Sequence, residues 1–376
     1  MRTISKMQTL ASNASTTLRG AWKHLATLPE GENSMALFTT LRRLCRQGAR
    51  FGALTAIGAV HWGSAQALDV RVARQYGVAY IPLMIMQEQK LIEKHAAGLG
   101  VKDVNVVWQQ FSGGAVMNDA LLSGNLDFAV VGPPPFLTMW ARTQGSRNQV
   151  LGIAALNAMP MYLMTRSPAI KSVKDFTPKD RIAVSGVKVS TQAVVLQMAA
   201  AQAWGIGEFD RLDKLTVAMP LSDSMALMLS GKSEITGDFT VPPFSHREMR
   251  AGMKPVIDTF SVLGGPSSTN VIYTTKNYHD AHPKMVQAFL AALRQAQRSI
   301  AENKTAAAAV YLRLSGDKET PENIVEILND PQISFDSTPR GIMGFAKFMY
   351  ETGAIRVQPA SWKSLFIAAL DGEAGN

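Results

Sequence analysis

Twice along this chain, short runs of β-branched and apolar residues alternate with helical stretches, and that alternation leaves few folds open. The first series predicts strands over 70–73, 104–108 and 126–131, with helices over 81–99 and 115–122 between them. In the first helix Leu83, Met86, Gln87 and Leu91 lie along one side. A second series begins after Asn157, with strands over 161–165, 181–184, 215–219 and 234–239 and helices over 190–203 and 222–229. Strands separated by helices indicate βαβ units and a parallel sheet, so two α/β lobes are expected. Beyond a strand over 271–275 the chain turns helical. Pro283 opens a helix whose Met285, Phe289, Leu293, Ala296 and Ile300 recur every three to four residues. Further helices are expected over 306–314, 321–328, 341–351 and 362–370.

Composition narrows the class. The chain has 376 residues, 47% hydrophobic and 18% charged, enough apolar material for two cores and too much for a disordered chain. No apolar run approaches the roughly 18–20 residues of a membrane span. Near the N-terminus, Arg42, Arg43, Arg46 and Arg50 precede an uncharged stretch over 51–63, and Ala65-Gln66-Ala67 follows. A basic region, an apolar plug and small residues at a cleavage point make a secretory signal peptide, with cleavage expected after Ala67. Met35 stands where such a leader would start, which would make 1–34 an upstream extension. Arg42-Arg43 leaves twin-arginine export open beside the general route.

Removing 1–67 leaves 30 basic and 27 acidic side chains, so the basic excess almost vanishes and no nucleic-acid surface is expected. Cys45, the single cysteine, goes with the leader, and with it disulfides, thiolate metal sites and a cysteine nucleophile. His95, His246, His279 and His282 form no metal or catalytic motif, and there is no nucleophile elbow or phosphate-binding loop. His246, beside Arg247 and Glu248, reads as surface. No catalytic residue, metal or cofactor is expected.

In open parallel sheets ligands sit where loops leave the carboxyl ends of strands. Here those loops are distinctive. Gln75 to Pro82 carries Tyr76 and Tyr80 around Gly77; Ser112-Gly113-Gly114 follows the second strand; Gly132 and Pro133 to Pro135 make a stiff turn after the third. In the second lobe, Lys188, Ser190 and Thr191 lead into a helix, while Asp223 and Asp238 close further strands. Aromatic walls, backbone donors at helix starts and one lysine suit a small molecule with an anionic or strongly accepting group. No arginine lies within these loops, which makes Lys188 the cationic candidate and leaves an amphoteric or neutral aromatic ligand open.

Tyr76 to Pro82, the run Gln87 to Lys94, Phe111-Ser112-Gly113-Gly114, and Leu121-Leu122-Ser123-Gly124-Asn125-Leu126-Asp127-Phe128 together resemble the nitrate/sulfonate/taurine-type periplasmic binding proteins of ABC importers, a family itself similar to thiamine-pyrimidine-precursor binding proteins. The resemblance covers most of 70–350. It implies a type II periplasmic binding protein fold, two lobes closing like a Venus flytrap, with a helical C-terminal segment. It places lobe one at 68–158 plus 265–376 and lobe two at 159–264, with hinge crossings near 157–160 and 261–265.

Carried over loop by loop, it implies ligand contacts from Tyr76, Tyr80, Ser112, Gly113, Gly132 and Pro133, then Lys188, Ser190, Thr191, Asp223 and Asp238, with Asn270 after the return crossing. The implied protein is a periplasmic monomer. It would hand a sulfonate, nitrate, taurine or similar solute to an ABC permease and its ATPase subunits. A thiamine-pyrimidine synthesis enzyme on the same fold carries a cysteine-rich motif that 68–376 lacks. A pyrimidine-precursor binder and a ligand-sensing module stay open.

Overall fold

The computed structural model describes residues 67–111 and 113–376. The leader and its cleavage motif, other than Ala67 itself, lie outside them. The first sheet begins with β1 (Leu68–Arg74), paired in parallel with β2 (Val104–Gln110). A bridge from Val72 to Phe128 ties β1 to β3 (Ala129–Val131), and β10 (Ser268–Thr275) runs antiparallel between β3 and β4 (Val150–Ala158). The spatial order is therefore β2-β1-β3-β10-β4.

The second sheet uses β5 (Tyr162–Thr165), β6 (Arg181–Val184), β7 (Thr216–Ala218), β8 (Ile235–Thr240) and β9 (Lys254–Asp258), in the order β7-β6-β8-β5-β9. The two sheets repeat one scheme: three parallel strands in the order second, first, third, then an antiparallel strand and a last one beside it. The expectation of purely parallel sheets is thus corrected. The segments that carry the chain between the sheets pair antiparallel with their neighbours, and β4 and β9 were not anticipated.

Helices cover these sheets: α1 (Ile81–Glu88), α2 (Leu91–Gly98), α3 (Gly114–Leu122), α4 (Pro133–Thr143), α5 (Thr191–Trp204), α6 (Leu221–Ser230), α7 (Phe244–Arg250), α8 (Thr259–Leu263), α9 (Lys276–Ala281), α10 (Pro283–Glu302), α11 (Lys304–Ser315), α12 (Pro321–Leu328) and α13 (Ile342–Glu351). None of the described helices is long and apolar enough to cross a membrane. The stripe Met285, Phe289, Leu293, Ala296 and Ile300 is buried along α10, with Phe289 stacked on Phe128 at 4.1 Å.

Three local expectations are corrected. The helix expected over 81–99 breaks at Lys90, whose φ of 51° lies in the left-handed region. The break re-aims the second piece so that Leu91, Ile92 and Ala96 are buried in the core, with α2 packed on α10. The prolines after Gly132 do not make a free turn; they occupy the first turn of α4, where a missing N–H costs nothing. The region 362–370 forms two short 3₁₀ turns rather than one helix. Between them Phe366 pairs with Gly152 of β4, so close that a Cβ at 152 would lie 2.4 Å from its ring.

The motif through Gly124 to Asp127 acts structurally. Gly124 turns the chain with φ 74°, and Asp127 accepts from Arg71 Nε at 3.0 Å and Nη2 at 2.8 Å. It also accepts from the Arg71 backbone N–H at 2.8 Å. That fork pins the start of β3 to the middle of β1, which fixes where both strands end.

Candidate functional site

The chain leaves the first sheet at 159–161 and returns through α8 to β10, so β4 and β10 lie side by side beneath both passages. Asn157 on β4 and Asn270 on β10 face each other there. Asn270 accepts from the Tyr80 hydroxyl at 3.3 Å, and Asn157 donates to the Ala79 carbonyl at 2.6 Å. The loop after β1 is thereby tied to the strands that lead to the second lobe. Burial pushes the Tyr80 hydroxyl far above its ordinary pKa, so it is a neutral donor. Asn157 Oδ1 is buried with no hydrogen-bond partner among the described residues.

Above this floor the lobes touch. Gly132 precedes α4 and Thr191 opens α5; a Cβ built on Gly132 would lie 1.9 Å from Thr191 Oγ1 and 3.4 Å from the Thr269 carbonyl. Glycine at 132 is therefore a requirement of contact between lobes rather than of turn geometry. Gly77 is the converse: its φ of 102° calls for glycine, while its Cβ position lies at an ordinary contact distance, 3.5 Å, from the Pro242 carbonyl of the second lobe. Of the residues expected to meet a ligand, Tyr80, Gly132, Thr191 and Asn270 are thus gathered around the meeting of the lobes, and Pro133 is buried beside them as the first residue of α4.

The others stand apart. Tyr76 is 56% exposed at the rim. Gly113 caps the start of α3, and Ser112 lies outside the described residues. The Ser190 hydroxyl is spent on capping, accepting from Ala193 N–H at 3.2 Å and donating to the Gly186 carbonyl at 2.7 Å. Lys188 is exposed in a left-handed conformation, and its charge acts on Asp213, a carboxyl that burial nonetheless raises. Asp223 is exposed and accepts from Ser222.

Asp238 is placed inside the second lobe, between β8 and its covering helices, with no exposed surface to offer a solute. Ser224 of α6 donates to it at 3.0 Å, and the wholly buried Glu248 of α7 is its electrostatic neighbour. Both Glu248 carboxyl oxygens and Asp238 Oδ1 are buried without a hydrogen-bond partner among the described residues, surroundings that favour the protonated acid over the charged carboxylate. Burial raises both pKa values, and for Glu248 the Asp238 charge adds to the rise. His246, expected at the surface, is half-buried where it lines the groove beside α12, and helix packing hides its neighbour Glu248 completely.

Arg247, on the same helix, joins the lobes. It pairs with Asp317, and with Glu319 at 2.7 Å, both in the connection between α11 and α12; Arg250 also reaches Glu319 at 2.7 Å. Burial would raise these two carboxyls, but hydrogen bonds from Tyr311 and Arg247 to Asp317, and from Arg247 and Asn323 to Glu319, hold both below the ordinary range. Beside this contact, a groove of about 740 Å³ between α7 and α12 is lined by His246, Glu322, Glu326 and Asp330, a charge pattern that repels oxyanions.

One cationic group lies just outside the arginine-free loops: Arg74 is the last residue of β1, one position before the loop that starts at Gln75. Its Nη1 is buried without a hydrogen-bond partner among the described residues. The signal available in sequence was its place at a strand's carboxyl end.

The NMT1-like family model matches residues 67–314. No curated protein matches the chain. Among solved structures, the alkanesulfonate-binding protein SsuA from Xanthomonas axonopodis pv. citri, bound to MOPS, is similar with a TM-score of 0.60 at 18% identity, covering 81% of this chain and 98% of that one. The periplasmic aliphatic sulphonate-binding protein SsuA from Escherichia coli has a TM-score of 0.60 at 17% identity, covering 80% and 98%. The periplasmic nitrate-binding protein NrtA from Synechocystis PCC 6803 has a TM-score of 0.58 at 17% identity, covering 82% and 86%. At these identities the likeness establishes the periplasmic binding protein fold.

Proposed function

This chain belongs to the NMT1-like family, and we propose that it is an extracytoplasmic solute-binding protein delivering a small organic or oxyanion solute to an ABC-type importer. The observation that carries this reading is the direct meeting of Gly132 with Thr191 above the Tyr80–Asn270–Asn157 floor. Strand-end loops from two α/β lobes converge where a guest touching both would favour their closure. The fold likeness to sulfonate- and nitrate-binding proteins supports the same reading.

In this proposal lobe one comprises 68–158 and 265–376, lobe two 159–264, and the passages between them serve as hinges. The protein is exported, cleaved near Ala67, and works as a monomer in the periplasm, where its closed form is read by a permease and ATPase complex. It binds and releases its solute unchanged.

The test is a thermal-shift screen of the purified protein against nitrate, alkyl and aryl sulfonates, taurine, pyrimidines and aromatic acids. A true solute at about 100 times its Kd stabilises by about 2.7 kcal/mol. Recovery of the hit intact by mass spectrometry supports binding without turnover; recovery of a converted product overturns it.

A further inference from the structure

We propose that Arg74 is the anion anchor of the cleft, and that its solute is an organic anion whose apolar part is covered by Tyr76, Val116 and Val189. The inference rests on the solute-binding reading above and specifies its ligand. Arg74 ends β1 three residues before Gly77, where the first lobe abuts Pro242 of the second. A guanidinium is always charged, and five N–H donors make it unfavourable to bury unpaired. Yet Arg74 makes no ion pair and no side-chain hydrogen bond among the described residues, while Nη1 is withdrawn from water. Burial draws its pKa down, against the opposing influence of Tyr76. The neighbouring Arg71 is the contrast, fully engaged with Asp127. An unpaired, partly desolvated fork at a strand's carboxyl end is complementary to a planar carboxylate or a sulfonate.

The rest of the ligand follows from the rim. Tyr76, Val116 and Val189 are 56%, 57% and 53% exposed; Tyr76 and Val189 sit on the connections that follow β1 and β6, and Val116 lies in the first turn of α3, the helix that follows β2. Two come from the first lobe and one from the second. Water-facing apolar side chains on both sides of the junction suit an alkyl or aryl group, which nitrate does not have.

The test is titration calorimetry of the purified protein with nitrate, methanesulfonate, benzenesulfonate, benzoate and neutral benzamide, repeated with Arg74→Gln and Arg74→Lys. The expected result is that benzenesulfonate or benzoate binds at least tenfold tighter than nitrate and methanesulfonate, and that benzamide does not bind. Arg74→Gln should weaken that anion about 100-fold, and Arg74→Lys should restore part of the loss. The melting temperature of ligand-free Arg74→Gln should equal or exceed that of the parent, because an unpaired buried charge is removed. Tight binding of the anion by Arg74→Gln overturns the anchor, as does a fall in its ligand-free melting temperature. Binding of benzamide or of nitrate alone overturns the ligand class while leaving a solute-binding protein. Absence of binding by every probe here, together with no hit in the wider screen, overturns both readings.

Discussion

Two guanidinium groups, one at the end of β1 and one on α7, have opposite surroundings. Arg247 reaches across to Asp317 and Glu319, two largely buried carboxylates, and Arg250 adds a second contact to Glu319. Arg74 ends β1 with a buried Nη1 and no acceptor among the described residues. A saturated cation is part of the framework: removing it leaves its partners uncompensated. An unsaturated one lowers stability until something anionic arrives. The pair teaches that charge type does not distinguish structural from binding residues; acceptor count does.

The strongest way to break this contrast is to empty the saturated site. Arg247→Ala should cost about 3 kcal/mol, since Asp317 would keep only neutral donors such as Tyr311 and Glu319 only Arg250 as a cation. Urea denaturation would read this as a lower midpoint at an unchanged slope, and a loss under about 1 kcal/mol would make the contact a superficial one. Next in size, Gly132→Val inserts atoms where Thr191 Oγ1 already lies. Solute affinity should fall about 100-fold, roughly 2.7 kcal/mol, with each lobe still folded. Unaltered affinity in titration would mean that the lobes need not meet there.

A third prediction concerns the buried carboxyls of Asp238 and Glu248. Both pKa values are raised on folding, so the folded state binds a proton that the unfolded chain releases. The stability is full below the unfolded carboxyl range and declines as pH rises towards the raised folded values, by about 1.4 kcal/mol per pH unit for each extra proton the folded state holds. Melting temperatures should fall from pH 5 to pH 9, and Glu248→Gln should flatten that fall. A parent profile level over this range would count against protonation of these carboxyls. The smallest effect is expected from Lys188→Gln, because Lys188 is exposed and its charge acts on Asp213. Its Kd should change less than about twofold, which a larger shift at low salt would contradict.

Much of the first lobe could be read from residue order. The α10 stripe at three-to-four spacing could lie only on one helix face, and burial followed. That Gly132 and Thr191 would come together was legible because the segments that follow strands in α/β sheets point into one crevice. The break at Lys90 was hidden, since every residue around it is compatible with a helix and only packing of Leu91 and Ile92 demands the turn. Arg74 escaped because an arginine within a strand ordinarily points to solvent, and nothing in the letters reports a missing acceptor. Glu248 escaped for the converse reason: between Arg247 and Met249 it looks like any short surface helix.

Periodicity and turn residues are local, and from them came two α/β halves, a helical tail and the loops that would face a guest. Whether a given charge is satisfied is a property of distant neighbours. Asp127 lies 56 positions from Arg71, and Glu319 lies 72 from Arg247. Only the folded chain brings such groups within hydrogen-bonding reach, and so only there could Arg247 become a brace and Arg74 be left without a partner.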